Sequence, residues 1–130
     1  LLNLLLRAAP ILTSATAGDA VRNKDFLRVA PILDYIRNNL SEPLTLDLIA
    51  GQFYLSKHYL CRIFKSATGT TINKYITARR ISIAKAVLNE NGNVMEAFER
   101  SGFTDYSNFF KAFTKAVGVS PKKYASLSVS

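Results

Sequence analysis

The chain has 130 residues, 48% of them apolar, with a formal net charge of +8 and an isoelectric point near 9.8. That length holds one domain or two small ones, and that apolar share excludes a disordered chain. A single cysteine excludes an internal disulfide framework, no apolar run reaches the roughly 20 residues of a membrane span, and the basic total points to an anionic partner without naming it.

In chain order, residues 1–12 read as a leucine-rich amphipathic helix ending near Pro10. Two uses are open: packing on its own domain, or acting as a dimerisation or interdomain helix. The stretch has Arg7 inside it, no initial Met and no basic leader, which fits a signal peptide poorly. Residues 1–15 are therefore expected to be the end of a truncated N-terminal domain or an interdomain helix. The small polar residues that follow predict a linker over 16–25.

Phe26 to Leu40 is expected as a helix, with Phe26, Val29, Ala30, Leu33, Ile36 and Leu40 in one stripe widened by Ile32. Pro31 would kink it or mark its true first turn, so its start is expected at Phe26 or nearer Ala30. Ser41, Glu42 and Pro43 end it.

Leu44 to Gly69 reads as two short helices and a tight turn. Thr45 is placed as an N-cap, with Leu44 and Ile49 as a hydrophobic staple. Ser56 is a second N-cap, stapled by Leu55 and Leu60. Leu60, Ile63, Phe64 and Ala67 then recur at helical spacing, and Gly69 supplies the stop. Lys57, His58, Cys61, Arg62 and Lys65 are left outward. This is the outline of a helix-turn-helix, although many helical hairpins share it and bind nothing.

Residues 71–89 predict a longer helix of about 28 Å, stopped by Asn89-Glu90-Asn91-Gly92. Asn93 can cap VMEAFERS, which ends at Gly102. Tyr106 to Val117 is another helix, with Phe109, Phe113 and Ala116 inward and Gly118 as its stop. Ser120-Pro121 opens a last short helix containing Tyr124, and residues 126–130 are expected to fray.

A repeat ties these elements together. Shifted by 49 residues, Leu60 falls on Phe109, Phe64 on Phe113, Ala67 on Ala116, Gly69 on Gly118, Thr71 on Ser120 and Tyr75 on Tyr124. Two copies of one unit on a rod of about 28 Å suit a periodic ligand, and successive major-groove faces of B-DNA lie about 34 Å apart. Charge agrees with that reading. No acid lies between Asp47 and Glu90 or after Asp105, while both stretches carry several lysines and arginines. A solvated helix face mixes signs, so acid-free basic blocks fit phosphate contact better.

His58 and Cys61 sit at i, i+3, but two ligands without a third do not make a zinc site. There is no nucleophile–base pair and no glycine-rich phosphate loop, so no catalytic residue, metal or cofactor is expected. Arg62 is a candidate to grip guanine with both arms, or a solvated arginine. In the second unit Ser107, Asn108 and Lys111 occupy the comparable outward face. Phe110 also points partly outward, toward the linker helix or a thymine methyl group.

These residues resemble the DNA-binding domain of the AraC/XylS family of bacterial transcription regulators, over about residues 26–125. The resemblance is carried by Ala50, Ser56-x-x-Tyr59-Leu60-x-Arg62-x-Phe64-Lys65, Gly69, Tyr75-Ile76 and Arg80-Ile81-x-x-Ala84-x-x-x-Leu88. In the second unit it is carried by Gly102-Phe103-x-Asp105, Phe109, Phe113, Gly118-x-Ser120-Pro121 and Tyr124.

The resemblance implies an all-helical fold of about seven helices, with two helix-turn-helix units on a long linker helix. Each recognition helix would enter a neighbouring major groove of double-stranded DNA. Base readers are implied at His58, Cys61, Arg62, Ser107, Asn108 and Lys111, and phosphate contacts are expected at Ser56, Lys57, Lys65, Asp105, Tyr106 and Lys115. RNA polymerase is an expected partner, a small-molecule effector is expected only through a missing N-terminal domain, and the cytoplasm is the expected location. Ala97-Phe98, Thr114 and Ala125 depart from the family's usual residues, which makes the second unit the less secure reader and leaves open that it mainly grips backbone. Two rivals are open: the DNA-binding portion of a repair enzyme, and a helical protein-interaction module.

Overall fold

The computed structural model describes residues 17–128, which form seven helices and no strand. The leucine-rich segment at 1–12, the expected domain remnant at 1–15 and the final two residues lie outside them. The helices are α1 (Ala17–Asn38), α2 (Leu46–Gln52), α3 (Lys57–Thr68), α4 (Ile72–Asn91), α5 (Val94–Ser101), α6 (Tyr106–Val117) and α7 (Pro121–Ser128).

Several expectations need correction; one is Ala116, expected inward on α6 but exposed. Residues 17–25, expected within the linker, are helical and belong to α1. It runs through Pro31, whose ring lies on an exposed face, where the missing N–H leaves one carbonyl to water. Its buried stripe is Val29, Ile32 and Ile36, continued by Leu40 just past its end, and Phe26 falls outside it at 49% exposed. At the other end, residues 126–128 continue α7 instead of fraying. Ala125 is buried against the second core, and the Ser126 and Ser128 hydroxyls donate to the carbonyls of Lys123 and Ala125.

The caps form where local chemistry places them. Thr45 Oγ1 accepts from the Leu48 N–H at 3.1 Å and Ser56 Oγ from the Tyr59 N–H at 3.1 Å. Thr71, Asn93 and Ser120 accept in the same way from Lys74, Glu96 and Lys123. Each such cap is worth about 1 kcal/mol, which matters for helices as short as α2 and α5. The α2–α3 turn closes with the Leu55 N–H on the Ala50 carbonyl at 2.9 Å. Tyr54 takes φ 57° there, a left-handed value that disfavours a bulky side chain.

Two hydrophobic cores form. The first joins α1, α2, α3 and the start of α4 through Val29, Ile36, Ile49, Leu60, Phe64 and Ile76. The second joins the rest of α4 to α5, α6 and α7 through Ile81, Ala84, Leu88, Ala97, Phe109 and Phe113. Helix α4, of 20 residues and about 30 Å, is therefore shared. Its buried positions make two faces rather than one stripe. At about 100° per residue, Ile72 and Ile76 point roughly a third of a turn away from the mean direction of Ile81, Ala84, Val87 and Leu88. Each unit is docked on its own side of one rod.

Candidate nucleic-acid interface

The inward residues of α3 decide what it shows to solvent. With Leu60, Ile63 and Phe64 buried, His58, Cys61, Arg62 and Lys65 must stand outward, and all four are exposed. Lys57 is exposed in the first turn and pairs with Asp47 at 3.2 Å. Ser56 is exposed, with its hydroxyl engaged as the cap of α3.

Arg62 is held from below. Its guanidinium carbon lies 5.1 Å from the centre of the Tyr59 ring, and Arg28 of α1 donates to the Tyr59 hydroxyl. A cation over an aromatic face keeps its charge while losing freedom to roam. The i, i+3 spacing of Tyr59 and Arg62 could have announced this contact in the sequence. The part played by Arg28 depends on how α1 packs against α3, and no local pattern carries it.

Helix α6 repeats the arrangement. Phe109 and Phe113 are fully buried, leaving Ser107, Asn108, Lys111 and Lys115 exposed. Asp105 caps the helix by accepting from the Ser107 N–H at 3.3 Å, and Tyr106, 40% exposed, packs on Phe98 and Phe109. Asn108, Lys111 and Lys115 share the rim of a shallow cleft of about 470 Å³ with Arg80 of α4 and Phe103. Phe110 is 42% exposed.

The departures from the family pattern have distinct consequences. Phe98 is half-buried, with its ring 5.4 Å from Tyr106 and 5.6 Å from Phe109, so it packs at the edge of the second core while Ala97 fills the middle. The Thr114 hydroxyl is buried without a hydrogen-bond partner among the described residues. A buried hydroxyl without a partner costs stability and gives the helix no charge to offer a phosphate.

Two guanidiniums are shifted by their surroundings. Arg37 is held above its ordinary value, first by its hydrogen bond with Tyr75 and, after a smaller opposing effect of burial, by Asp34. Arg80 is lowered by burial. Sequence reasoning counted Arg80 only within a basic block and a motif, although it reaches carbonyl groups about 40 residues away. Among the described residues, no three His, Cys, Asp or Glu side chains gather as a metal ion would need, and no helix is long and apolar enough to cross a membrane.

A family profile described as a helix-turn-helix domain matches residues 49–126. The multiple antibiotic resistance protein MarA of Escherichia coli is 34% identical over 104 residues, covering 79% of this chain and 82% of that protein. The melibiose operon regulatory protein of Escherichia coli is 32% identical over 117 residues, covering 89% of this chain and 39% of that protein. Among solved structures, the C-terminal domain of AraT, a response regulator from Geobacillus stearothermophilus, is similar with a TM-score of 0.69 at 27% identity, covering 86% of this chain and 88% of that one.

Proposed function

The chain belongs to the AraC/XylS family of helix-turn-helix proteins, and from that premise we propose that it binds double-stranded DNA sequence-specifically as a bacterial transcription regulator. The observation that carries the reading is the pairing of two like units on one rod, each turning an acid-free polar face to solvent from a helix with a firmly buried back. A helix of this kind fits the major groove, and two on a stiff connector suit two successive grooves.

In this reading His58, Cys61 and Arg62 read bases from α3. Arg62 does so most selectively, because a guanidinium matches the two acceptors of guanine. Ser107, Asn108 and Lys111 read from α6. Lys57, Lys65 and Lys115 neutralise phosphates, while Ser56, Asp105 and Tyr106 stand at the N-terminal ends of the reading helices, where backbone N–H groups favour an anion. The Asp105 carboxylate itself repels phosphate, so its contribution is to hold the helix end.

Regulation would come through contact with RNA polymerase in the cytoplasm. Residues 1–15 would end a preceding domain that takes an effector. The test of the central reading is selection from a random duplex library with this chain, followed by sequencing of what is retained. Two short enriched blocks at fixed spacing are expected. Retention without enrichment would reduce the protein to a nonspecific phosphate binder.

A further inference from the structure

The two units do not meet only through α4. Arg80 Nε donates to the Leu40 carbonyl at 3.1 Å and Nη2 donates to the Glu42 carbonyl at 2.9 Å. Both carbonyls belong to the first unit, just past the end of α1. The same guanidinium lies 6.0 Å from the centre of the Phe103 ring, which belongs to the second unit. Beside it, Gly102 backs onto the first unit so closely that a Cβ there would stand 1.9 Å from the Leu40 oxygen and 3.1 Å from Arg80 Nε. A first-unit carbonyl, a linker-helix guanidinium and a second-unit turn thus meet at one place.

Each partner is anchored. The Leu40 side chain is buried in the first core. Phe103 packs on Phe109 at 5.6 Å, and Phe109 is fully buried in the second core. On the helical wheel Arg80 falls between the two docking faces of α4. It therefore stands where a rocking of one unit against the other would open a gap. We propose that Arg80, seated against Gly102 and the Leu40 carbonyl, is a positioning residue that fixes the angle between the two units and so determines which base-pair spacing the protein accepts.

The lever is sensitive. A tilt of about 10° at one end of a rod about 30 Å long moves the other end by about 5 Å. One base-pair step is only about 3.4 Å. A junction that holds the angle within a few degrees therefore separates one spacing from the next, and a looser one blurs them. The spacing role needs no DNA contact by Arg80, because the Nε and Nη2 bonds to the two carbonyls are what hold the angle.

The inference rests on the DNA reading for its consequence, and two measurements keep the two apart. The first is made without DNA. Spin labels at Gln52→Cys and Glu99→Cys, both exposed and one in each unit, are introduced with Cys61→Ser. The inter-label distance should be narrowly distributed in this background, and broadened or shifted when Arg80→Met is added. An unchanged distribution in a folded Arg80→Met protein overturns the clasp whatever the protein binds.

The second measurement titrates duplexes of native spacing, spacing changed by one base pair either way, and the first block alone. The unlabelled wild type should prefer native spacing by about tenfold, the size of one lost base contact. Arg80→Met should bring that ratio to within about threefold, and Arg80→Lys, whose ammonium lacks the planar fork that spans both carbonyls, should fall between; a loss shared by the single block reports the removed charge and divides out of the ratio. A full ratio in Arg80→Met overturns the proposal. If the wild type prefers no spacing or sequence, the DNA reading fails, and the spacing role falls with it even where the distance distribution broadens.

Discussion

The Tyr75 ring meets Phe64 edge-on, with centroids 5.7 Å apart and planes at 65°. With both numbers raised by 49, Tyr124 meets Phe113 in the same way, at 5.6 Å and 71°. In each unit the buried ring belongs to the reading helix and the tyrosine to the helix that follows its glycine stop. The tyrosine therefore presses on the back of the reading helix and holds its polar face outward. The internal repeat is a repeat of this support.

The second core should weigh its rings unequally. Phe113 is fully buried, so Phe113→Ala should cost about 3–5 kcal/mol through the cavity it leaves. Phe98 is half-buried at the edge, so Phe98→Ala should cost less, about 2 kcal/mol. Urea denaturation of the two variants checks the order. A Phe98→Ala loss equal to that of Phe113→Ala would mean the edge ring is as central as the buried one.

Tyr54 is 95% exposed and sits at φ 57°. Its side chain has little packing to offset the left-handed backbone. Tyr54→Gly should therefore stabilise the fold by about 0.5–1 kcal/mol, the strain relieved less the extra freedom glycine gives the unfolded chain. A lower melting temperature would show that the tyrosine makes a contact stronger than the strain.

Arg62 stands outward over Tyr59. On the preferred duplex Arg62→Ala should cost about 1–3 kcal/mol and relax preference at one or two base pairs. Competition with random duplex is the control. Equal loss on both would make Arg62 a phosphate contact and nothing more.

Lys65 and Lys115 are exposed, while Lys57 shares its charge with Asp47. Neutralising Lys65 or Lys115 should weaken specific and random binding alike and lower the salt slope by about one. Asp47→Asn should strengthen binding at low salt by freeing Lys57. Affinity across a salt series reads both effects. A slope unmoved by the Lys65 change would place that side chain off the DNA, and weaker binding by Asp47→Asn would show that the pair orients Lys57 usefully.

Most of the fold was legible because it is locally encoded. Thr45, Ser56 and Asn93 cap where their side chains are expected to reach the next turn, and helical spacing picked out Leu60, Phe64, Phe109 and Phe113. What local pattern does not carry was missed. Residues 17–25 of α1 are mostly small and polar and read as a linker, and Pro31 reads as a kink or a first turn where the helix already extends well before it. The two faces of α4 blur into one in a sequence stripe, since Ile81 faces away from Ile72. The left-handed turn at Tyr54 has no glycine to announce it. Among the candidate readers, outwardness was legible from the buried partners, whereas the Arg28 bond to Tyr59 and the reach of Arg80 to Leu40 join residues more than 30 positions apart.

The central claim is that two units on one rigid rod read one face of a duplex. It is tested by titrating three duplexes made from the selected site: native spacing, about five base pairs inserted between the blocks, and about ten. The half-turn insert carries the second block to the opposite face, and the full-turn insert returns it to a distance that a helix of about 30 Å cannot reach. Binding should fall on both inserts to the level of the first block alone. Equal affinity for all three duplexes would contradict the account, leaving either units that move independently or a single unit that reads.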